Sequence, residues 1–308
     1  MSAVGQNTPA RTGMIGLGNM GGRIARRIRD GGLAVKGFDV DPEQLGGSGI
    51  EAAASPAELV QGVDAVFLSL PNSTIIEAVV LGDDGVLANA REGQIVVDLS
   101  TAAPASTRKI HDALADRGAS YVDAGISGGA AAAEQGSLSI MAGGSPEALA
   151  AVTPILETFS ARVYHMGDSG TGHVAKLLNN FLNGISLAAT AEAMVAAKRA
   201  GLDLAQLLDV INHSSGVNFA TQNRFPRIIQ GDYLEGGLTS ELMAKDLRLY
   251  LEYLQGIEVT SFTGVACLGA FNLATALGYG DQISNRVVDA IGDVAGGVRL
   301  HQPEEEAR

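Results

Sequence analysis

From Gly13 to about Val163 short apolar runs recur at strand length, "GMIGL", "AVKGFD", "AVFLSL", "QIVVDLS", "YVDAGI", "LSIMAG" and "ARVYHMG". Stretches with helical spacing separate them. Such alternation predicts right-handed βαβ crossovers and a parallel sheet covered by helices. After about Gly170 the strand signals stop, and periodic segments at 171–200, 203–213, 217–230, 239–255, 259–278 and 281–296 predict an all-helical second half. The expected organisation is an α/β domain over 12–168, an all-α domain over 169–298, and unstructured ends at 1–11 and 299–308. No internal repeat interrupts this order.

One helical segment breaks its own pattern. Gly172 to Met194 reads "GHVAKLLNNFLNGISLAATAEAM", apolar at helical spacing, yet Lys176, Asn179 and Asn180 fall at i, i+3 and i+4 and so share one face. Burying a lysine there costs several kcal/mol unless a polar group meets it. Two domains predict a cleft, and this helix starts where the first domain ends.

Composition narrows the class. The chain has 308 residues, 46% of them hydrophobic and 18% charged, enough for a substantial core in two domains. A net charge of −13 leaves no basic surface for phosphate backbones or anionic lipid, so neither nucleic acid nor a membrane is an expected partner. A small molecule is. The single cysteine, Cys267, fits a reducing cytoplasm and reads as a small core residue. The opening "MSAVGQNTPART" lacks the apolar core of a signal peptide, and no uninterrupted apolar run reaches the ~20 residues of a membrane span. The five histidines form no H-x-x-x-H or H-x-x-E-H pattern and there is no C-x-x-C, so no metal is expected.

Chemistry concentrates at strand ends. In "TGMIGLGNMGGRIARRI" an apolar strand runs into Gly16-Leu17-Gly18-Asn19-Met20-Gly21, a G-x-G-x-x-G that opens an amphipathic helix. The first glycine serves the tight turn, the second the approach of a pyrophosphate, the third the packing of helix on strand, and the helix N-terminus supplies amides for the charge. Asp39 closes the next strand, placed to accept hydrogen bonds from ribose hydroxyls and to repel a 2′-phosphate. No arginine follows it in "FDVDPEQL", which favours NAD over NADP. The first domain is therefore expected to be a Rossmann-type doubly wound parallel sheet that binds NAD, followed by the all-α helical domain. Ser100-Thr101 and Ser127-Gly128-Gly129 also follow apolar strands, at the carboxyl ends where open α/β sheets place ligands.

Together these segments, from about Thr12 to about Ile291, resemble the β-hydroxyacid dehydrogenase family, of the 3-hydroxyisobutyrate dehydrogenase and tartronate semialdehyde reductase type. The resemblance implies that Gly16 to Gly21 bind the dinucleotide, that Leu70-Pro71 line the cofactor site, and that Thr101 of "DLST" sits near nicotinamide and substrate. It implies that Ser127, Gly128 and Gly129 hold the substrate carboxylate and that Lys176 is the catalytic general acid and base, with Asn180 orienting the lysine or the substrate and Asn179 in support. In "LMAKDLRL", Lys245 reaches the nicotinamide end with Asp246 beside it. The reaction implied is NAD-dependent hydride transfer between a small 3-hydroxy acid and its semialdehyde. Imine reductases and catalytically silent binding relatives resemble the same family; the former usually replace the lysine and prefer NADPH. Two features depart from close relatives or lie outside the motifs. "DAGISGG" stands where "DAPVSGG" is common, putting Gly125 in place of a proline. Asn218, Asn223 and Arg224 of "HSSGVNFATQNRFP" lie where groups far from the reacting carbon would be read. Small apolar helices such as "FTGVACLGAFNLATALG" carry more apolar surface than one helical domain buries, so a homodimer or homotetramer is expected.

Overall fold

The computed structural model describes residues 9–301. The chain divides into two compact units, one ending at Lys176 and one beginning at Leu177. The first holds an eight-stranded sheet: β1 (Arg11–Ile15), β2 (Ala34–Phe38), β3 (Glu51–Ala52), β4 (Ala65–Leu68), β5 (Ile95–Asp98), β6 (Ser120–Ser127), β7 (Leu138–Gly143) and β8 (Ser160–Gly167). Their order is β3-β2-β1-β4-β5-β6-β7-β8. The strands are linked by α1 (Gly21–Asp30), α2 (Pro42–Ser48), α3 (Pro56–Gly62), α4 (Ser73–Leu81), α5 (Val86–Asn89), α6 (Pro104–Ala115), α7 (Gly129–Gln135) and α8 (Pro146–Leu156). This is a Rossmann-type doubly wound sheet.

The central strands β4 and β5 are buried at every position, because helices cover both faces. Alternate residues feed opposite layers. Met14, Phe67 and Val97 pack with Ile24 and Ile28 of α1 on one side; Ile15, Val66 and Val96 pack with Leu59, Ile76 and Ile110 on the other. Strand order reverses between β1 and β4, which makes the carboxyl ends of these two strands the switch point of the sheet.

Two details depart from the expected pattern. The sheet is parallel from β3 through β6, but β7 pairs antiparallel with β6, and β8 then runs parallel to β7. The link between β6 and β7 is only residues 128–137, shorter than the dozen or more that a parallel crossover needs. The edge strand β3 is two exposed residues long, too short for any periodicity to reveal.

The boundaries also shift. Arg11, assigned above to an unstructured end, opens β1: its carbonyl accepts from Asp64 N at 2.9 Å and its guanidinium meets the Asp64 carboxylate at 2.7 Å. At the other end Arg299 pairs with Asp293 and Leu300 is buried, so the second unit continues past 298. The remainder of the expected unstructured ends, 1–8 and 302–308, lies outside the described residues.

The second unit comprises α9 (Thr171–Arg199), whose first turns belong to the first unit, then α10 (Leu204–Asn212), α11 (Phe219–Asn223), α12 (Phe225–Ile228), α13 (Ser240–Gly256), α14 (Phe262–Ala274) and α15 (Val287–Val294). Side chains of Asp203, Asn218, Thr239 and Ser261 cap the starts of α10, α11, α13 and α14. The segment expected as one helix over 217–230 breaks at Arg224, because Pro226 cannot sit inside a helix but suits its first turn. Cys267 is fully enclosed with Met243 and Phe271, and burial pushes its thiol up to about 12, which leaves it chemically quiet.

Candidate active site

The glycine loop follows directly from β1. Gly16 has φ +91°, and a Cβ there would stand 2.2 Å from Ser69 O; a Cβ on Gly21 would stand 1.9 Å from Gly16 O. Both glycines are dictated by the fold itself. Gly18 is not: nothing lies within 4 Å of where its Cβ would be. That bare backbone faces open space beside a helix, α1, which no side chain caps and which carries no acidic residue in its first turn. Of the other helices in this unit α2, α3, α4 and α8 are capped, by Asp41, Ser55, Asn72 and Ser145, while α5, α6 and α7 also lack a side-chain cap. A loop of this build fits the pyrophosphate of a dinucleotide.

Asp39 follows β2 and is half-buried. Its Oδ2 accepts from Leu17 N at 2.7 Å and its Oδ1 from Asp41 N at 2.9 Å, so the carboxylate fixes the glycine loop and still has lone pairs for ribose hydroxyls. Asn19 accepts from Arg23 through both its carbonyl, 2.6 Å, and its side chain, 2.5 Å. Met20 is the residue at the helix start. A cavity of about 160 Å³ opens against Leu17, Gly18 and Asn19 and is lined by Arg23, Arg26 and Gln44. No cation follows Asp39 in "FDVDPEQL". Helix α1 supplies two from the other side.

At the end of β4, Leu70 N donates to Ser100 Oγ at 2.9 Å, which ties the Leu70-Pro71 turn to the loop that carries Thr101. Asp98 is entirely buried: it accepts from Ser100 N at 3.0 Å and from the Tyr121 hydroxyl at 2.8 Å. Burial first, then the Asp98 charge, pushes the Tyr121 phenol well above its ordinary value, so it remains a donor. Ser127 ends β6. Gly128 has φ +131°, and a Cβ on it would meet Ala132 at 2.6 Å, whereas Gly129 looks into open space. As at the dinucleotide loop, one glycine serves the fold and another leaves its backbone bare.

Asp123, the first residue of "DAGISGG", anchors a helix. Buried beside Asp98 in the sheet, it accepts from Gly170 N at 2.7 Å and His173 N at 2.8 Å, and so holds the first turn of α9. His173, also buried, meets Thr107 Oγ1 at 2.7 Å through Nδ1 and stands 3.9 Å from Asp98 through Nε2. Lys176 is one turn further along α9. A Cβ on Gly125 would lie 2.6 Å from Lys176 Cβ and 3.0 Å from its Cγ. Gly125, which stands where relatives carry a proline, is mid-strand in β6, and its bareness lets the lysine stem lie flat on the strand that ends at Ser127. These roles were invisible in sequence because each depends on residues 47 to 66 positions away.

In the second unit Asn180 is buried and donates to Asp246 Oδ2 at 2.5 Å; the other oxygen of Asp246 pairs with Lys245 Nζ at 3.0 Å. Asn179 is exposed and donates weakly to Asn180 at 3.4 Å. Asp246 therefore fixes which way the Asn180 amide points. Among the described residues no group of three His, Cys, Asp or Glu side chains could hold a metal.

Comparison with known proteins agrees in both halves. Residues 11–167 match the family model described as the NAD binding domain of 6-phosphogluconate dehydrogenase, and residues 170–291 that of the NAD-binding domain of NADP-dependent 3-hydroxyisobutyrate dehydrogenase. The chain is 37% identical over 278 residues to the NAD-dependent L-serine dehydrogenase of Pseudomonas aeruginosa, covering 87% of this chain and 93% of that one. It is 37% identical over 268 residues to 3-hydroxyisobutyrate dehydrogenase of the same organism, covering 84% and 90%. The solved structure of Mycobacterium tuberculosis 3-hydroxyisobutyrate dehydrogenase with L-serine superposes with a TM-score of 0.83 at 28% identity, over 91% of this chain and 98% of that one.

Proposed function

The chain belongs to the β-hydroxyacid dehydrogenase family, and on that premise we propose that it interconverts a small 3-hydroxy acid and its semialdehyde, with NAD preferred and Lys176 as general acid and base. As a member it is a nicotinamide-dependent oxidoreductase acting on CH–OH groups. L-Serine and 3-hydroxyisobutyrate, named for two relatives, share a CH₂OH on the carbon next to the carboxylate, and a substrate of this form suits the groups described. The observation that carries the reading is Lys176 lying on Gly125, in the strand that ends at Ser127-Gly128-Gly129.

When bound, the nicotinamide supplies the hydride acceptor or donor. The residues of the chain do the rest. The bare backbone at Gly128-Gly129 and the Ser127 hydroxyl bind the carboxylate, which fixes the acid at one end. Lys176 takes the hydroxyl proton in oxidation and returns a proton to the carbonyl oxygen in reduction. Asn180, oriented by Asp246, directs the reacting oxygen, Asn179 lends secondary support, and Lys245 serves the cofactor near the nicotinamide. Gly16, Leu17, Gly18, Asn19, Met20 and Gly21 hold the pyrophosphate and Leu70-Pro71 and Thr101 border the cofactor. Asp39 favours NAD by its charge, while Arg23 and Arg26 in the adjoining cavity leave room for slower use of NADP.

We propose also that copies of the chain associate through the second unit. The span Phe262–Tyr279 has mean hydropathy 1.3 and is only 22% buried, with Phe262 86% and Val265 63% exposed. Light scattering should give a multiple of 31.6 kDa at micromolar concentration, and a monomer overturns this. The main test is a panel of 3- and 4-hydroxy acids, semialdehydes and cyclic imines with NAD(H) and NADP(H). Fastest turnover of a 3-hydroxy acid with NAD is expected. Preference for an imine with NADPH would overturn the reading.

A further inference from the structure

Arg224 is a cation without an anion. Its guanidinium donates to Asn285 Oδ1 at 2.9 Å and to Asn183 Oδ1 at 2.9 Å, and lies 5.7 Å from the centre of the Phe219 ring. Both hydrogen-bond acceptors are neutral amides. Asn285 is itself buried and locked, since its Nδ2 donates to Tyr233 O at 2.8 Å and so turns its oxygen toward Arg224. Arg227, Arg286 and Arg299 each meet a carboxylate, whereas Arg248, which like Arg224 donates to an asparagine, is exposed to water. No carboxylate lies within ion-pair distance of Arg224 among the described residues. Burial lowers its pKa to about 10, the direction expected of a desolvated cation left uncompensated. A protein that pre-orders a guanidinium with two amides and withholds a counterion has left three of five N–H donors for something else.

Position says what that is. Asn183 stands on α9 one turn beyond Asn180, so the amide face that the proposed reaction uses continues directly to the residue that holds Arg224. One turn of helix is about 5 Å, the length of a few carbon–carbon bonds.

We propose that Arg224 binds a second carboxylate, and that the substrate is a 3-hydroxy acid carrying two: one carboxylate on the carbon that bears the reacting CH₂OH group and one a few carbons away. This rests on the dehydrogenase reading for the first carboxylate and the hydroxyl, and adds the far end. Arg224 is a specificity residue, held in place by Asn183 and Asn285.

Two measurements test it. The first needs no turnover: calorimetric titration of the NADH-loaded protein with glutarate and with butyrate. Glutarate should bind at least about tenfold more tightly, and folded Arg224→Gln should lose that difference while Arg224→Lys keeps part of it. Equal affinity for the two acids in the wild-type protein, or selectivity that persists in Arg224→Gln, overturns the inference. The second compares kcat/KM for 2-(hydroxymethyl)glutarate with that for 3-hydroxyisobutyrate. The ratio should exceed about ten and fall by a similar factor or more in Arg224→Gln. Turnover of 3-hydroxyisobutyrate without preference for the dicarboxylate overturns this inference and leaves the dehydrogenase reading standing. Glutarate selectivity with no hydroxy acid oxidised supports the anion site and overturns the dehydrogenase reading.

Discussion

The glycine loop after β1 and the amide face of α9, the two places proposed to meet ligands, are built by opposite means. The loop works with backbone. Gly16 and Gly21 are forced by contacts inside the protein, and Gly18 is left bare with nothing around it. The helix works with side chains, and each needs another to aim it: Asn180 is turned by Asp246, and Asn183 helps to hold Arg224. A backbone site is short in sequence because consecutive peptide groups build it. A side-chain site is scattered, because the groups that orient it come from other helices. Sequence motifs therefore report the first kind well and the second kind only in part.

The largest effect should come at Lys176, the proposed general acid and base. Lys176→Ala should lower kcat by about 10²–10⁴-fold while leaving NADH affinity nearly unchanged, since the glycine loop is untouched. Lys176→Arg should recover little, because a guanidinium does not act as a base near neutral pH. A folded Lys176→Ala enzyme that keeps more than about a tenth of wild-type kcat would remove the lysine from the mechanism.

Within the loop the comparison can be sharpened by paired substitutions. Gly16→Ala adds a Cβ 2.2 Å from Ser69 O at a left-handed φ and should cost about 3 kcal/mol of stability, read as a lowered denaturation midpoint. Gly18→Ala adds a Cβ to open space and should leave the midpoint within about 0.5 kcal/mol, yet weaken NADH binding roughly tenfold by blocking the approach of the pyrophosphate. If both variants lose stability alike, Gly18 serves the fold and the distinction fails.

The smallest effect concerns the amino-terminal ends of β1 and β4. A hydrogen bond from Arg11, with Arg91 adding to it, holds the Asp64 carboxyl down at about 2. A carboxylate lowered in the folded state stabilises above its unfolded value near 3.9, and that contribution is lost as pH falls through about 2. Partial exposure limits it to about 1 kcal/mol. Asp64→Asn should therefore lower stability slightly at pH 7 and flatten the loss between pH 4 and pH 2, as followed by urea midpoints. An unchanged slope would show that the pair contributes nothing.

The doubly wound sheet, the helical second half, the glycine loop and the polar face around Lys176 were legible along the chain, because these are written in local periodicity and in adjacent residues. Tertiary structure alone decided the rest. The reversal of β7 depended on whether a ten-residue link could carry a crossover, a question of geometry rather than pattern. The value of Gly125 depended on α9 lying across β6, which turned a missing proline into the bed of a lysine stem. Asp123 became the anchor of α9 only once residues 47 and 50 positions later folded back to meet it. Arg224 stood in the sequence beside Asn218 and Asn223 with nothing to rank it above them; its two amide acceptors, and the lack of a carboxylate beside it among the described residues, come from distant parts of the chain and cannot be read from its own neighbours.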